Sequence, residues 1–173
     1  MKQLQCFEQI SVQSPKMFNL AVIKAKLASE LNAEWHSRLP IIHWSNIVRN
    51  KKYVCYAATY DSVYYAVGIW SSPVNRYLDA NTVLELRRLA ISDKCPKFTA
   101  TWMIGAMVKD IKKRFIDVEK LISYQDTDVH TGTIYKASNW TNACVAGTGN
   151  WESRDRNKPQ SNSLKNRWEY DIK

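Results

Sequence analysis

The sequence predicts a single globular domain of the α+β class. At 173 residues the chain is long enough for one complete hydrophobic core and short for two. Hydrophobic residues make up 45% of it, with seven Trp and nine Tyr but only five Gly and five Pro. This composition is typical of packed α/β or α+β proteins and not of disordered chains. Strand-like and helix-like patterns alternate along the sequence, so we expect one domain over residues 1–173.

The first third of the chain predicts a strand, a helix and an irregular segment. "LQCFEQISV" (4–12) alternates loosely, as a strand does. Ser14 followed by Pro15 is typical of a helix start, and we expect a helix from there to about Asn32. Its apolar residues recur at helical spacing: Phe18, Val22, Leu27 and Leu31. "AEWHSRLPIIHWSN" (33–46) is interrupted by a proline and is interpreted as a loop or a short irregular helix.

Three strands are predicted next, the first two as a hairpin. "KYVCYAATY" (52–60) and "VYYAVGIW" (63–70) are rich in β-branched and aromatic residues and are separated by an Asp-Ser pair. In the third strand, "VLELRRLAI" (83–91), leucines alternate with Glu85 and Arg87. This alternation predicts one buried face and one wetter face.

The second half predicts a helix, a strand, a short helix and two further strands. "TATWMIGAMVKDIKKRF" (99–115) has an apolar stripe at helical spacing and basic residues in its last turn, where the helix dipole favours cations. "VEKLISY" (118–124) is the next strand, and "HTGTIYKASNW" (130–140) is a short helix with an abrupt aromatic stop. The segment 152–166 has no apolar period and is interpreted as a long exposed loop between the strands "ACVAGTG" and "RWEYDI".

Composition also bears on the location and the partners of the protein. The longest apolar runs are too short to span a bilayer and no signal segment is visible, so we expect no membrane association and a cytoplasmic location. The four cysteines form no C-x-x-C pair, which favours reduced thiols over a zinc site or a disulfide framework. The formal net charge of +9 favours a polyanionic partner, and nucleic acid fits best.

A candidate ligand site lies between the strand at 83–91 and the helix at 99–115. The connecting "SDKCPKFT" leads into a helix N-terminus, whose free backbone N–H groups can hold an anionic phosphate. Lys94 and Lys97 add positive charge there. An ordinary loop with solvated lysines would show the same pattern, so the residues alone leave both interpretations open.

The order of elements and the short-helix motif resemble the GNAT acyltransferase superfamily. In that family a central strand, a phosphate-cradling loop, a helix, a splayed strand and a short helix with a tyrosine bind acyl-CoA. In "GTIYKASNW", Tyr135 matches the tyrosine, while Asn139 and Trp140 stand for the usual glycine and phenylalanine. Asn tolerates the left-handed conformation that ends helices, so we expect that conformation at Asn139. The phosphate loop departs from the family because it lacks glycine, and Phe98 stands where one is expected.

A narrower resemblance is to the Mom-like proteins of phages, GNAT-fold enzymes that modify adenine in DNA so that restriction enzymes no longer cut it. It is carried by "LELRRLAI", the glycine-poor "CPKFTAT" loop, the block "LISYQDTDVHTGTIYKASNW" and "HWS" at 43–45. The resemblance implies a GNAT-like fold with a mixed, mostly antiparallel central sheet and flanking helices. It also implies an acetyl-CoA or related acyl-CoA cofactor and a methylcarbamoylation-type transfer to the exocyclic amine of DNA adenine, in the host cytoplasm if the protein is phage-encoded.

The resemblance implies roles for individual residues. Tyr135 would protonate the departing thiolate, and Ser123 and Asp126 would help to orient the substrate amine or accept its proton. His43 could act as a base or bind a metal ion together with Asp126. A packed tyrosine, a turn-capping aspartate and a hydrogen-bonded histidine are the structural alternatives. The cofactor would contact the strand end, the loop and the helix start: Leu89, Ala90, Ile91, Lys94, Lys97, Phe98, Thr99, Ala100 and Thr101.

A DNA substrate would require further contacts. The target base must leave the stack and lie between aromatic or apolar side chains, for which the candidates are Trp35, Trp44, Tyr60 and Trp70. Basic residues of the late loop and the last strand would bind the phosphate backbone: Arg154, Arg156, Lys158, Lys165 and Arg167. Exposed strand edges, which often pair in such folds, would allow a homodimer.

Two other functions stay open at this point. One is a GNAT enzyme that acetylates a small amine or a protein, and the other is a non-catalytic GNAT fold that serves as a DNA-binding module. Retention on duplex DNA that weakens with salt would argue against the first. Loss of activity with DNA binding kept, in Tyr135→Phe or Asp126→Ala, would argue against the second.

Overall fold

One mixed sheet organises the protein, whose computed structural model describes residues 12–35, 39–146 and 164–172. The strands within these ranges are β1 (Asn19–Val22), β2 (Tyr53–Tyr60), β3 (Val63–Ser71), β4 (Val83–Ile91), β5 (Lys120–Asp126), β6 (Thr141–Ala146) and β7 (Lys165–Asp171). They lie in the sheet in the order β1-β2-β3-β4-β5-β7-β6. The helices are a 3-10 turn (Pro15–Met17), α1 (Ala25–Trp35), α2 (Trp44–Val48), α3 (Thr99–Arg114) and α4 (Thr133–Lys136).

The sheet is mostly antiparallel, as predicted, with a single parallel pair at its centre among the described strands. That pair is β4 and β5, and their pairing runs only from Val83 opposite Lys120 to Leu86 opposite Ser123. Beyond this point β5 continues to pair with β7, while β4 continues to pair with β3. The two strands therefore separate into a V-shaped opening, bounded by Arg87–Ile91 on β4 and 124–126 on β5.

A bulge in β4 accompanies the separation. Opposite β4, Ile69 of β3 pairs with Arg88 and Trp70 pairs with Leu86, so Arg87 is the extra residue. A bulge bends its strand and increases the local twist. It therefore turns β4 at the residue that follows its last pairing with β5.

Helices cover the two faces of the sheet and form two cores. On one face, Met103, Met107 and Ile111 of α3 pack on Leu84 and Leu121, and all five side chains are fully buried. On the other face, α1 and α2 pack against β2, β3 and β4 through Ala28, Leu31, Ile47, Cys55, Val67, Ile69 and Ala90. The α1 and α2 core touches the half of the sheet that lies away from β5, β7 and β6.

The predicted helix from Ser14 to Asn32 is wrong in its first part and confirmed from Ala25 onward, where α1 begins. Ser14 caps only a 3-10 turn, and Asn19–Val22 forms β1 on the edge of the sheet, paired with β2. The apparent helical stripe was misleading because Phe18 is buried whereas Val22 is half exposed. Pairing with β2 outweighs the local helix signal, and α1 begins only after the strand. The predicted strand at 4–12 lies outside the described residues except for its last residue, which is not in a strand.

The wetter face predicted for β4 is also wrong. Glu85 is only 5% exposed, and Val83–Leu86 are all buried, because β4 is a central strand covered on both sides. The Glu85 carboxylate accepts the Val74 N–H at 2.9 Å and lies 3.3 Å from Arg87 Nε. Burial nevertheless raises the pKa of Glu85.

The other predicted elements are confirmed where they fall within the described residues. The hairpin turn has positive φ at both Asp61 and Ser62, as expected for a tight two-residue connection. β6 begins at Thr141, two residues before the predicted strand, and the long predicted loop lies mostly outside the described residues. Three free cysteines are present in the described ranges: Cys55, Cys95 and Cys144. In those same ranges the helices are all too short or too polar to cross a membrane.

Candidate active site

Two buried hydroxyl groups meet at the closed end of the V-shaped opening. Ser123 is the last residue of β5 that pairs with β4, and its Oγ lies 2.8 Å from Tyr135 Oη. The same Oγ lies 3.4 Å from the Leu86 carbonyl oxygen. Ser123 is 1% exposed and Tyr135 is 7% exposed. Each hydroxyl can donate or accept, so the pair can pass a proton from one oxygen to the other.

The protonation state of Tyr135 follows from its burial. Burial raises its pKa, and the hydrogen bond with Ser123 lowers it by less. Removing water penalises the phenolate more than the phenol, so the hydroxyl stays protonated at neutral pH. Tyr135 is therefore chemically suited to donate a proton to a leaving group that reaches the end of the V.

An aromatic and amide network fixes the Tyr135 ring. The ring stacks on Trp168 of β7, with centroids 5.5 Å apart and planes at 15°, and is tilted against Trp140. Trp168 Nε1 donates to Gln125 Oε1 at 2.7 Å, and the Gln125 amide donates to the His130 carbonyl. Neighbouring strands and the segment before α4 thus hold the ring from three directions.

A residue in the left-handed backbone conformation flanks α4 at each end. Gly132 precedes the helix with a φ of 74°, and a Cβ there would lie 2.5 Å from Trp168 Cζ2 and 2.7 Å from Gln125 Oε1. At the other end Asn139 has a φ of 62°, which confirms the expectation from its sequence position. The Trp140 N–H then donates to the Tyr135 carbonyl at 3.0 Å. This pattern closes the helix and places Trp140 in the core.

The start of α3 is open to solvent. Phe98, at the position before the helix, is left-handed with a φ of 70°, and its side chain is 79% exposed. No side chain caps this end, and the N–H groups of Ala100 and Thr101 belong to the first turn, where a helix provides no acceptors. Thr99 differs, because it is buried and its hydroxyl donates to the Pro96 carbonyl at 2.7 Å.

The remaining residues predicted to bind the cofactor line the approach to this helix start. Leu89, Ala90 and Ile91 pair with β3 on one side, and in the described structure no strand pairs with their other side. Lys94 and Lys97 are exposed. The arrangement provides open backbone groups along β4, a helix N-terminus and two cations, although Ala90 turns its side chain into the α1 core.

Asp126 ends β5 on the open side of the V. One carboxylate oxygen accepts the Asp128 N–H at 3.0 Å. Its backbone carbonyl accepts the N–H groups of Val129 and His130. Asp126 therefore organises the turn that leads to α4, and it is half-buried rather than enclosed.

His43 lies elsewhere in the structure. It is exposed and caps α2, where its Nδ1 accepts the Ser45 N–H at 3.3 Å and lies 2.8 Å from Ser45 Oγ. The next residue, Trp44, lines a groove at the amino end of β2, whereas Asp126 is at the carboxyl end of β5. Since β2, β4 and β5 run in the same direction, these are opposite ends of the sheet. Over residues 12–35, 39–146 and 164–172, no group of three His, Cys, Asp or Glu side chains could hold a metal ion.

The residues predicted to contact DNA are only partly described. Arg154, Arg156 and Lys158 lie outside the described residues. Lys165 begins β7, opposite Asp126, and Arg167 forms an ion pair with Glu169 at 2.8 Å. Among the aromatic candidates for holding a base, Trp70 is wrong, because it is fully buried and its Nε1 donates to Met107 Sδ at 3.1 Å. Trp44 is 42% exposed, while Trp35 and Tyr60 are partly buried against the cores.

Several site residues were missed at the level of sequence. Gln125 and Trp168 hold the Tyr135 ring, but a polar residue inside a strand and an aromatic residue in the last strand carry no distinctive signal. Arg87 and Arg88 were visible as a pair that interrupts the strand pattern, and they stand where the V begins. Arg88 Nη2 donates to the Pro40 carbonyl at 3.1 Å, and burial lowers the Arg88 pKa to about 10.

Residues 42–171, well over half of the chain, match the Mom protein family. The chain belongs to the Mom protein family. The matched region of this Mom-family protein contains the V-shaped opening, the start of α3 and the Ser123 and Tyr135 pair. A search of curated proteins finds no significant match.

Several solved acetyltransferase structures share this architecture at low sequence identity. The ribosomal-protein-S18-alanine N-acetyltransferase of Escherichia coli has a TM-score of 0.64 and 10% identity over 90% of this chain and 94% of that one. A GNAT family acetyltransferase of Elizabethkingia anophelis with acetyl-CoA bound gives 0.62 and 11%, over 90% and 98%. Spermidine N-acetyltransferase of Vibrio cholerae in complex with CoA and spermine gives 0.63 and 8%, over 91% and 96%. This Mom-family protein therefore has the GNAT fold.

Proposed function

We propose that this Mom-family protein transfers an acyl group from acyl-CoA to the exocyclic amine of adenine in DNA. The observation that carries the proposal is the Tyr135 and Ser123 hydroxyl pair, buried at the closed end of the V between β4 and β5. Protection of DNA from restriction would be the consequence of such a modification. The net charge of +9 is consistent with a polyanionic substrate.

The residues around the V fit an acyl-CoA. The phosphates would be held by the N–H groups at the start of α3, with Lys94 and Lys97 close in sequence. The backbone of Leu89 to Ile91 faces the V without a strand partner in the described structure and would supply a hydrogen-bond donor to the acyl carbonyl. Solved GNAT structures with acetyl-CoA or CoA bound support this choice of cofactor. When bound, acyl-CoA supplies an activated thioester.

Tyr135 then has a defined task. Its hydroxyl, kept protonated by burial, would give its proton to the departing thiolate. Ser123 Oγ, at 2.8 Å, would relay a proton back to Tyr135 Oη, taking up a replacement proton from solvent or from the group that accepted the amine proton, and so restore the starting state. Stacking on Trp168 holds the hydroxyl in place during this exchange.

The adenine amine would approach from the open end of the V. Its lone pair is delocalised into the ring, so the reaction needs a group that orients the amine or accepts its proton. Asp126, at the carboxyl end of β5, is proposed for that role, because the turn that it organises leads directly to α4. Lys165 and Arg167 on β7, together with the basic residues between β6 and β7, would contact the DNA backbone.

Nucleoside mass analysis of DNA from cells that express the chain tests the proposal. We expect a modified adenine in DNA from cells with the wild-type protein and none with Tyr135→Phe. Unmodified adenine throughout, with soluble and folded wild-type protein, would contradict DNA modification. A thermal shift with acetyl-CoA tests the cofactor separately, since ligand at about 100 times its dissociation constant stabilises a protein by roughly 2.7 kcal/mol.

Acetylation of a small amine or a protein is the competing activity. It is favoured by the fold of the Escherichia coli protein N-acetyltransferase and of the Vibrio cholerae spermidine N-acetyltransferase. A thermal shift with acetyl-CoA combined with unmodified DNA would select this alternative. If the protein were a non-catalytic module, it would bind DNA, and Tyr135→Phe would not impair its function.

A further inference from the structure

An open groove lies at the end of the sheet away from the V-shaped opening. It has a volume of about 460 Å³, and β1, α2 and the start of β2 contribute exposed apolar side chains to it: Val22, Trp44, Val48 and Tyr53. These side chains are 51%, 42%, 38% and 40% exposed, in that order. Scattered apolar residues are normal on a surface, but four that line one groove are typical of a binding surface.

Two lysines give this groove its charge. Lys24 and Lys26, on either side of the first residue of α1, are exposed and line the same groove. Neither forms a salt bridge with a carboxylate in the part of the chain that the structure describes. Arg114 completes the rim from the end of α3, although its guanidinium is paired with Asp110 at 2.9 Å. No acidic residue of the described ranges lines the groove.

Aromatic rings beside unpaired ammonium groups match the chemistry of an unstacked nucleotide. Every base has a π face that an aromatic side chain can cover, and the adjoining phosphates attract lysines. A second copy of this chain fits poorly, because it would bring the same lysines together. We propose that this groove binds a nucleic-acid strand, with a base against Trp44 and Tyr53 and phosphates at Lys24 and Lys26.

The proposal gives a structural role to the "HWS" motif, which the chemistry at the V does not use. His43 caps α2 through Ser45, and its ring lies 5.5 Å from the Trp44 ring. The cap starts the short helix at Trp44 and so sets the position of this side chain on the groove wall. His43 acts here on Trp44 and contacts no ligand itself.

The groove is separate from the proposed active site. Tyr53 pairs with Ser71, and Ser71 pairs with Glu85, so the groove is level with the amino end of β4. The V opens from Arg87 towards Ile91, at the carboxyl end of β4, and β3 lies between β2 and β4, so the groove and the opening are on different strands and at opposite ends of the sheet. Binding at the groove can therefore be measured without acyl-CoA and without turnover.

Fluorescence anisotropy with a labelled 12-residue oligodeoxythymidylate tests the proposal. The whole protein is titrated at several NaCl concentrations in the absence of acyl-CoA. The lysine variant is Lys24→Ala with Lys26→Ala, and the aromatic variant is Trp44→Leu, which keeps an apolar side chain. The matched control is Lys16→Ala with Lys109→Ala, which removes the same charge from two exposed lysines that line neither the groove nor the V-shaped opening. Thermal unfolding of each variant verifies folding.

Loss of the two phosphate contacts should reduce the salt slope of log affinity by about 1.4, at roughly 0.7 per contact with a single strand. Trp44→Leu should weaken binding roughly 5- to 150-fold, the range for one stacked base, with the salt slope unchanged. The control pair should leave the slope as in the wild type. Equal effects of the two lysine pairs, or unchanged affinity in folded Trp44→Leu, would overturn the proposal.

A competition experiment separates a nucleic acid from an acidic peptide. Polyglutamate of matched charge should displace the oligonucleotide much less effectively than unlabelled oligodeoxythymidylate. Equal displacement would overturn the assignment to nucleic acid in favour of a general polyanion surface. If the variants bind the oligonucleotide as expected but the protein transfers no acyl group, the proposed function alone is rejected. If acyl transfer is normal but the lysine and Trp44 variants bind the oligonucleotide like the wild type, the groove alone is rejected.

Discussion

Two helix starts in this protein have the same backbone conformation and carry very different residues. Before α3, Phe98 has a φ of 70°, and before α4, Gly132 has a φ of 74°. Neither position has a side-chain cap. The Phe98 side chain points into solvent, whereas any side chain at Gly132 would collide with Trp168 and Gln125.

The difference shows that the left-handed conformation alone does not require glycine here. A Cβ in this region costs roughly 1–2 kcal/mol, which a stable domain can tolerate. A Cβ inside a packed cluster adds a steric cost that the neighbours cannot relieve. The solvent-exposed start of α3 faces the proposed phosphate site, whereas the enclosed start of α4 precedes the proposed acid, Tyr135. One helix start therefore serves cofactor binding and the other serves proton transfer.

The largest expected effect is at α4, on the Tyr135 hydroxyl that Gly132 helps to position. Tyr135→Phe keeps the stacked ring and removes the proton donor, so turnover should fall roughly 10²- to 10⁴-fold. Tyr170→Phe is the control, because Tyr170 also packs on Trp140 but its hydroxyl faces Lys112. Steady-state transfer assays measure both, and equal activities of the two variants would remove Tyr135 from the chemistry.

The contrast between the two left-handed positions is testable by one substitution at each. Gly132→Ala should destabilise the fold by roughly 2–4 kcal/mol, from the left-handed Cβ and the clash with Trp168 together. Phe98→Ala keeps a Cβ in the same conformation without that clash, and we expect it to stay within about 0.5 kcal/mol of the wild type. Chemical denaturation gives both values. A similar cost at both sites would show that the backbone, rather than the packing, dominates.

Alkaline pH should lower the stability of the folded protein through Tyr135. Burial raises the pKa of Tyr135 above its usual value, so above pH 10 the unfolded chain loses this proton while the folded protein keeps it. Stability is therefore complete below pH 10 and is lost as the pH rises further, by at most about 1.4 kcal/mol at pH 11 for one such residue.

Tyr135→Phe removes that contribution, so the stability difference between wild type and variant should shift by the same amount between pH 8 and pH 11. Tyr77→Phe, at a side chain that is 80% exposed, serves as the control and should cause no such shift. Denaturant titrations at the two pH values measure the effect. A constant difference for Tyr135→Phe would mean that the hydroxyl ionises as readily in the folded protein as in the unfolded chain.

Asn139 gives a third left-handed position, at the end of α4. Asn139→Gly should leave stability almost unchanged, whereas Asn139→Ala should cost about 1 kcal/mol, because alanine tolerates this conformation less well. Thermal or chemical unfolding of the two variants checks the order. Equal stabilities would indicate that the stop depends on the packing of Trp140 rather than on the conformation of Asn139.

The smallest expected effect is on stability at the open helix start. Phe98→Gly relieves the left-handed strain but adds freedom to the unfolded chain, so the fold should gain about 0.5 kcal/mol or less. If the exposed ring contacts the cofactor, as the resemblance to the GNAT family implies, the same variant should bind acetyl-CoA more weakly. Calorimetric titration measures the affinity. Tighter binding in Phe98→Gly would show that the ring obstructs the phosphate loop.

The sequence predicted some elements of the fold and of the candidate site far better than others. The β2–β3 hairpin, β4, α3 and the left-handed Asn139 were predictable because their signals are local: turn residues, a hydrophobic period and a known helix stop. The predicted helix at 14–32 failed because pairing with β2 made an edge strand out of residues with helical spacing. His43 was a candidate base or metal ligand together with Asp126, whereas in the structure it caps α2 and Asp126 ends β5.

By itself the sequence determined the class of the protein and the order of most elements, and its resemblance to the GNAT family indicated Tyr135 as the proton donor. These depend on short segments whose patterns act within a few residues. Only the tertiary structure decided that Ser123 meets Tyr135, that Gln125 and Trp168 hold the ring, and that Glu85 is buried. Each of these contacts joins residues from different strands and helices, and a buried group is defined by what the rest of the chain places around it.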